Sequence, residues 1–527
     1  MSPLKAIKTL ARKRTGTVAS SAALIIVLTI LVRPLGMGRE ILTAVYFGAR
    51  LDLDTFLLAS SVPVFLCTIL GGGLAQAVVP GLLLAAKKDE QVGWRLLNRL
   101  ARDMFLLALL IAGINYMIAP YVIRIIFPSN TASAILELGT KSYRILSPAI
   151  IGGLLSGLFI GAANAFHYYG YTTLRSVAYN GMIIGSLFFL HERLGIVSLG
   201  VGILLAEFSQ LLFAVPPLLA HGFRPGFVSR ETDKPFRIVL WAWIPAVLLT
   251  GMNQVNYFVD RILAMPLGEG SVSSLNYAWK LILLPAGLLS VAFATPLLSF
   301  LSHHEAKRER LKTAQLLRRT AETLIFFSVP VTFLLIICHK DVVSLFYQWG
   351  EFGDRGLFLT SVALFFYAPG LPFQLLIPVM VAAFMAVRRP WLPVIVSLPL
   401  VPINWLLDKI FMQFMYHAGI AFTTSVLFLV NAAFLYVILN RYLPSSREGS
   451  KTSTGRYIMF FIFAGAYFII VGHIHVAQLE WISPGRLYMV IKLIITTLLT
   501  IGGYVIMAQA FDLEIMNRLE RFWRRSF

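Results

Sequence analysis

Residues 105–123, FLLALLIAGINYMIAPYVI, form a run of nineteen residues without a charged side chain. A helix of this length crosses most of the hydrocarbon core of a bilayer, which is about 30 Å thick. The whole chain has a similar character, because 58% of its 527 residues are hydrophobic, 13% are charged and the mean hydropathy is +0.77. A soluble protein of this composition would have too little polar surface to cover itself. We therefore expect a polytopic membrane protein, which excludes intrinsic disorder, a fibrous protein and an ordinary soluble enzyme.

Comparable apolar runs along the chain predict fourteen membrane-spanning helices. Their centres lie near Ile26, Leu66, Leu110, Gly157, Ile184, Ala206, Leu249, Leu288, Val329, Pro372, Leu398, Phe428, Phe463 and Thr496. The expected fold is all-α, with an N-terminal lobe over 1–237, a C-terminal lobe over 238–445, and two further helices with a basic tail over 446–527. The first run follows a basic segment, as in a signal peptide, but lacks a small-residue cleavage site before Arg33, so we expect it to be retained.

The charge distribution gives an independent check on the number of spans. The chain has 45 Lys and Arg against 25 Asp and Glu, a net charge of +20. If the N-terminus is cytoplasmic, the segments on that side contain 31 of the 45 basic residues, as the positive-inside rule requires. Both termini are then expected in the cytoplasm, and nucleic acid is not an expected partner. The connecting loops are short, so we expect no soluble catalytic domain.

Interrupted helices and a weak internal repeat favour a transporter. Pro63 and Gly71–Gly73 interrupt the second span, and freed backbone groups in lipid need partners in the bundle or in a wet cavity. FGARLDLDTFLLASSVP (47–63) is similar in pattern to LGEGSVSSLNYAWKLILLP (267–285), six spans later. An even number of intervening spans indicates two parallel repeats, and hence two six-helix lobes.

Ionisable residues inside the spans are functional candidates, because a charge at the bilayer centre costs about 3 kcal/mol or more. They are Arg33, Arg39, Glu40, Asp54, Glu207, Asp260, Arg261, Lys280 and Lys492. If Arg33, Arg39 and Lys280 face one interior, they repel each other unless an anion lies between them, and a diphosphate suits that position. The alternative is that they form internal ion pairs with Glu40, Asp54 and Asp260.

Other charged residues support less specific predictions. Glu207 is expected either to bind a proton or cation or to pair with a basic neighbour. Lys492 lies near the outer end of its span, so we expect its side chain to reach the membrane surface. His473 and His475 are spaced as a metal pair, but a third ligand is not evident, so a solvated loop is expected there.

The stretch VRPLGMGREILTAVYFGARLDLDTFLLASSVP (32–63) resembles the opening motif of the MurJ/MviN lipid II flippases, members of the multidrug/oligosaccharidyl-lipid/polysaccharide exporter group. Further similar stretches follow in family order: GLAQAVVP (73–80), GAANAFHYYGYTTLRSVAYN (161–180), NQVNYFVDRILA (253–264), NYAWKLILLPAGLLSVAFATPLLSFLS (276–302), SLFYQWGEF (344–352) and HAGIA (417–421). The family has fourteen helices, the number that hydropathy and charge predict here.

The resemblance implies a flippase that moves an undecaprenyl-diphosphate-linked saccharide across the bacterial inner membrane by alternating access, for peptidoglycan synthesis. It implies that Arg33, Arg39 and Lys280 are the essential cations, with Lys280 in place of the usual Arg, and that Asp54 is the second-span acid. We assign Asp260, Arg261, Asn180, Asn253 and Gln254 to the substrate site as well, and Glu207 and Glu40 to coupling. No cofactor or metal is expected. Membrane lipids and cell-wall or polysaccharide assembly proteins are the expected further partners.

The chain also departs from the family pattern. The family's Arg pair in span 2 falls on Cys67 and Thr68, its next acid falls on Gly72, and its acid after the span 8 cation falls on Leu283. These losses favour one alternative, the export of a lipid-linked exopolysaccharide or O-antigen unit. A second alternative is cation-coupled antiport of a small molecule, for which Glu207 is the candidate acid. An enzyme is not expected, because Asp52-Leu-Asp54 resembles a nucleotide-sugar motif but lies at the outer end of a helix.

Overall fold

The computed structural model describes residues 18–226, 233–306, 309–387, 389, 391–443, 451–477, 485–513 and 515–516. Within these residues the chain forms twenty-one α-helices and no strand. The helices are α1 (Val18–Phe47), α2 (Leu51–Leu66), α3 (Gly72–Lys88), α4 (Glu90–Ile126), α5 (Ser133–Leu146), α6 (Ala149–Ala165), α7 (Tyr169–Leu194), α8 (Val197–Ser209), α9 (Leu211–Ala214), α10 (Pro216–Ala220), α11 (Asp233–Ala264), α12 (Ser271–Ala306), α13 (Arg310–Ile337), α14 (His339–Tyr347), α15 (Gly353–Tyr367), α16 (Leu371–Ala386), α17 (Trp391–Ser397), α18 (Leu400–Met415), α19 (His417–Leu439), α20 (Lys451–Ala477) and α21 (Arg486–Ala510).

Ten helical segments of the described residues are long and apolar enough to cross a membrane. They are Leu51–Lys87, Glu90–Ile126, Ser133–Ala165, Val197–Ala220, Ser271–Ser290, Arg310–Ile337, Gly350–Ala386, Trp391–Met415, His417–Leu439 and Arg486–Ala510. Helices α1, α7, α11 and α20 lie at the other four predicted spans. The predicted all-α membrane fold of about fourteen spans is therefore confirmed.

Helix ends follow from local sequence chemistry. Asp89 precedes α4, and its side chain accepts a hydrogen bond from the Gln91 amide at 3.0 Å, which satisfies one of the unpaired first-turn donors. Gly48 and Gly195 follow α1 and α7 with φ of +58° and +53°, a conformation that glycine adopts without strain. The break predicted at Gly71–Gly73 is a π-helical turn over Cys67–Gly71 that joins α2 to α3.

The chain divides into two compact units. The first contains the described residues up to Ser273 together with Gly350–Phe352, and the second contains Ser274–Trp349 and the described residues from Gly353 onward. Helix α11, which the sequence assigns to the second lobe, belongs to the first unit, where it packs on α3. The predicted lobe boundaries at residues 237 and 445 stay predictions.

Each unit has its own apolar core. In the first unit, helices α3, α4 and α6 bury residues that include Leu74, Leu97 and Leu158. In the second unit, α13, α16 and α19 pack around Leu324, Phe384 and Leu435. Aromatic rings join α13 to the last two helices there: Phe326 and Tyr504 have ring centroids 5.0 Å apart, and Phe468 lies 5.8 Å from Tyr504.

Buried ion pairs connect α14 with the last two helices of the second unit. Asp341 Oδ2 lies 2.8 Å from Lys492 Nζ and 2.9 Å from His475 Nε2. Lys492 and His475 are 3% and 5% exposed, so the predictions of a surface-seeking Lys492 and a solvated His475 are wrong. The physical reason is Asp341, whose carboxylate offsets the cost of burying both basic groups. His473, on the same helix α20, is exposed.

Candidate functional site

The first unit contains a polar cavity of about 500 Å³. Its walls come from α1, the π turn, α3, α6, α7 and α8. The lining residues are Arg39, Cys67, Thr68, Gly71, Gly72, Ala75, Gly153, Ser156, Gly157, Ile160, Arg175, Ser176, Tyr179, Asn180, Glu207 and Gln210. Two guanidinium groups and one carboxylate are thus present in one small space, which makes this cavity the candidate site.

Glycine residues hold the π turn directly against α6. A Cβ added at Gly157 would lie only 2.6 Å from Gly71 Cα, and one added at Gly153 would lie 2.9 Å from Cys67 Cβ. The two backbones therefore touch without intervening side chains, as at the small-residue contacts of other membrane helices. The unusual turn is in this way fixed in the cavity wall, and π turns often occur at functional sites.

Helix α7 supplies one polar face of the cavity. Arg175 and Tyr179 are four residues apart, as are Ser176 and Asn180, so all four side chains share one side of the helix. Asn180 donates from Nδ2 to the carbonyl oxygen of Ser176 at 2.8 Å, which orients its amide. The helix therefore presents a guanidinium, a phenol, a hydroxyl and an amide to the same space.

Hydrogen bonds connect two of the charged groups that line the cavity, Arg175 and Glu207, through the side chain of Gln210. Arg175 donates from Nη1 to Gln210 Oε1, and Gln210 donates from Nε2 to Glu207 Oε2 at 2.8 Å. Arg39, on α1, forms an ion pair with the neighbouring Glu40. Guanidinium groups present planar N–H donors that match the oxygens of phosphate and carboxylate groups, so this cavity is equipped to bind an anion.

The structure brings three predicted residues together and adds two that the sequence analysis missed. Arg39, Asn180 and Glu207 line the cavity as members of the predicted set, and Arg175 and Gln210 join them. Arg175 was missed because charge counting places 167–175 in a cytoplasmic loop, whereas α7 begins at Tyr169 and contains Arg175. The four-residue spacing of polar side chains over 175–180 is the signal that would have identified it.

Other predicted residues lie elsewhere in the first unit. Asp54 is 1% exposed and accepts hydrogen bonds from the backbone amides of Gly270 at 2.7 Å and Ser273 at 2.6 Å, at the start of α12. Arg261 donates to Leu57 O and to Ser61 Oγ, both at 2.9 Å, and so joins α11 to α2. Both residues make structural contacts between elements, and their predicted part in substrate binding stays a prediction.

The remaining candidates are placed as follows. Arg33 is half-buried on α1, and Gln254 and Asp260 lie on α11, partly and fully buried. The side chain of Asn253 lies outside the described residues. Lys280 is partly buried on α12 in the second unit, so the proposed grouping of Arg33, Arg39 and Lys280 stays a prediction.

The second unit has a larger cavity of about 860 Å³ between α13, α16 and α19. Its lining is mostly apolar, with residues such as Leu376 and Met380, and its charged residues Arg318 and Glu322 are paired at 2.8 Å. A cavity with one positive and one negative charge attracts a multivalent anion less strongly than the cavity lined by Arg39 and Arg175. Size alone therefore does not identify the site.

Comparison with known proteins identifies the family. A family model described as "Lipid II flippase MurJ" matches residues 43–496. The "Lipid II flippase MurJ" of Burkholderia cenocepacia is 25% identical over 468 residues, which cover 85% of this chain and 87% of that protein. The "Probable lipid II flippase MurJ" of Buchnera aphidicola subsp. Acyrthosiphon pisum is 26% identical over 453 residues, covering 84% and 87%.

Solved structures support the same fold. The structure "Lipid II flippase MurJ, inward closed conformation" superposes with a TM-score of 0.76 at 24% identity, over 93% of this chain and 98% of that one. An inward-facing MATE-family multidrug transporter superposes with a TM-score of 0.69 at 14% identity, over 81% and 99%, which indicates a shared fold only. The family model covers most of the chain, and the two relatives match 84–85% of it. The chain therefore belongs to the lipid II flippase MurJ family, a family of membrane transporters and not of enzymes.

Proposed function

We propose that this chain is a flippase that moves lipid II, an undecaprenyl-diphosphate-linked peptidoglycan precursor, from the cytoplasmic to the outer face of the bacterial inner membrane. The observation that carries the proposal is the family match over residues 43–496. The cavity of the first unit supports it, because Arg39 and Arg175 both line a space inside a bundle of apolar helices.

The physical task explains why such a cavity is useful. A diphosphate carries charges that are very costly to place in hydrocarbon, whereas the prenyl tail is as apolar as the lipid around it. A flippase needs only to shelter the head group, and it does so with cations and polar side chains while the tail stays in the bilayer. Broken helices such as α2–α3 allow a cavity of this kind to open alternately to the two sides.

The topology that we propose places both termini in the cytoplasm. It rests on the distribution of basic residues, 31 of 45 of which fall in the segments assigned to that side. Cell-wall or polysaccharide assembly proteins are proposed as partners of the transport step, since the translocated saccharide must be used on the outer face.

A second candidate substrate is a different prenyl-linked saccharide, such as an exopolysaccharide or O-antigen unit. One observation favours it: Cys67 and Thr68, at the positions where the family resemblance expects an Arg pair, lie in the wall of the cavity. Uncharged side chains at these positions change which head group fits. Glu207 and Glu40 are the residues that we propose to couple transport to the membrane potential or to a cation.

Replacement of an essential lipid II flippase by this chain tests the proposal. In a bacterial strain depleted of its own MurJ, expression of the chain should restore growth and the supply of lipid II at the outer face, measured with an enzyme that degrades only externally exposed lipid II. Failure to rescue, together with rescue of a strain blocked in exopolysaccharide or O-antigen export, would instead support the second candidate.

A further inference from the structure

The polar groups of the first-unit cavity form a continuous chain from Arg175 to Glu207. The side-chain amide of Gln210 accepts from Arg175 through its oxygen and donates to Glu207 through its nitrogen, at 2.8 Å for the second bond. Both ends of the amide are thereby oriented, and the guanidinium of α7 is held near the carboxylate of α8. Arg39 lines the same cavity from α1.

The guanidinium of Arg175 has capacity for a further ligand. Among the described residues its one hydrogen bond goes to the neutral amide of Gln210, whereas a guanidinium has five N–H donors. Its fork geometry matches two oxygens of a phosphate group. Glu207 is the carboxylate that lines the cavity with it, so an entering phosphate competes with Glu207 for the same positive charge.

We propose that Arg175 binds the diphosphate of the lipid substrate together with Arg39, and that the diphosphate replaces Glu207, which is linked to Arg175 through Gln210, as the anion that balances the Arg175 charge. This proposal rests on the proposed function, because it assigns a specific residue to the head group of the prenyl-linked saccharide. In the empty cavity, Glu207 reduces the repulsion between the two guanidinium groups. In the loaded cavity, the diphosphate takes over that task and joins α1 to α7 through one anion.

Replacement of Glu207 by the diphosphate predicts opposite effects on binding for the loss of Arg175 and the loss of Glu207. Removal of the Arg175 charge takes away a phosphate ligand and weakens binding. Removal of the Glu207 charge takes away a competitor and strengthens binding, although both changes affect the same hydrogen-bonded chain. A purely structural role for the two residues would make both changes harmful.

Binding of farnesyl diphosphate to the purified full-length chain in detergent, measured by calorimetry, tests the exchange. We expect Arg175→Gln to raise the dissociation constant about ten-fold or more, and Glu207→Gln to lower it several-fold. Arg175→Lys should be intermediate, because lysine keeps the charge but not the planar fork. Arg193→Gln is the matched control, since Arg193 is exposed near the end of the same helix, and it should bind as the unchanged chain does.

Three results would overturn the proposal: unchanged affinity in Arg175→Gln, unchanged or weaker binding by Glu207→Gln, or binding of farnesyl diphosphate no tighter than that of farnesol. Glu207→Gln also controls for misfolding, because a misfolded variant would not bind farnesyl diphosphate more tightly. If Arg175→Gln fails to fold, unchanged or weaker binding by Glu207→Gln overturns the proposal.

Complementation of the depletion strain distinguishes the role of Arg175 from the identity of the substrate. Rescue by the unchanged chain with normal diphosphate binding in Arg175→Gln would refute only the role of Arg175, whereas the predicted binding pattern without rescue would refute only lipid II as substrate.

Discussion

The carboxylate of Asp341 lies 2.8 Å from the ammonium nitrogen of Lys492, and the two side chains are 19% and 3% exposed. His475 contacts the same carboxylate oxygen at 2.9 Å and Thr496 Oγ1 at 2.8 Å. This cluster joins the short helix α14 to α20 and α21 within the second unit. One carboxylate therefore pairs with the buried Lys492 ammonium group and accepts a hydrogen bond from the His475 imidazole, and its removal leaves both groups without that partner.

We expect Asp341→Asn to lower the thermal stability of the purified chain by several degrees, because loss of one partner of a buried ion pair costs about 3–5 kcal/mol. The double change Asp341→Asn with Lys492→Met should recover part of the loss, since no buried charge is then left unpaired. Lys340→Met, at an exposed position of the same helix, is the control. Scanning fluorimetry in detergent measures the effect, and equal midpoints for Asp341→Asn and the control would contradict the assigned role.

The same cluster predicts an acid sensitivity. Burial opposes ionisation of Asp341, but the contacts with His475 and Lys492 outweigh it and lower the pKa of the carboxyl below its ordinary 3.8. A carboxyl with a lowered pKa in the folded state stabilises the fold fully above its unfolded pKa, and this contribution is lost as the pH falls through the folded value. The unfolding midpoint should therefore decline below about pH 4 more steeply in the unchanged chain than in Asp341→Asn. Parallel pH profiles for the two proteins would count against the contribution of Asp341.

The sequence predicts the number of helices well because apolar runs and loop charge are local properties. Arg39, Asn180 and Glu207 could be identified as candidates because a polar residue in an apolar span is conspicuous. Arg175 could not be assigned by charge counting, which treats a basic residue near a helix start as part of a loop. Lys492 was misinterpreted because its partner Asp341 is distant in the sequence, and only tertiary packing brings them together.

The contact between Gly157 and Gly71 predicts a steric sensitivity of the cavity wall. Gly157→Ala places a methyl group against the backbone of the π turn, so the turn or α6 must shift, and we expect a loss of about 1–3 kcal/mol or more. Gly181→Ala is the matched control, because a Cβ at Gly181 meets no atom within 4 Å and alanine favours the helix. Thermal unfolding of both variants should show a lower midpoint for Gly157→Ala only. A Gly157→Ala variant as stable and as active as the control would show that the close approach is dispensable.

Loss of Asp54 should produce a folding defect, whereas loss of Arg39 should produce a transport defect. Asp54 accepts two backbone amides at the start of α12, so Asp54→Ala leaves buried donors unpaired, at a cost of about 1–3 kcal/mol each. We expect this variant to reach the membrane in reduced amount and to unfold at lower temperature. Arg50→Ala is the control for the same region, because the Arg50–Glu351 ion pair is exposed and contributes little. A stable but inactive Asp54→Ala protein, present in normal amounts, would contradict the structural role and support the predicted role of Asp54 in substrate binding.

Arg39→Ala and Lys280→Ala should abolish transport without loss of protein from the membrane. Arg39 lines the first-unit cavity, and Lys280 is the cation of α12 at a position where the family resemblance implies a positive charge. The loss of either charge removes an attraction for the diphosphate. Complementation of the depletion strain, with immunoblots of the membrane fraction and Arg50→Ala as control, measures both activity and abundance. Normal growth of a strain that carries both changes would refute the assignment of these cations to the head group, because two missing positive charges should cost a large part of the affinity for a diphosphate.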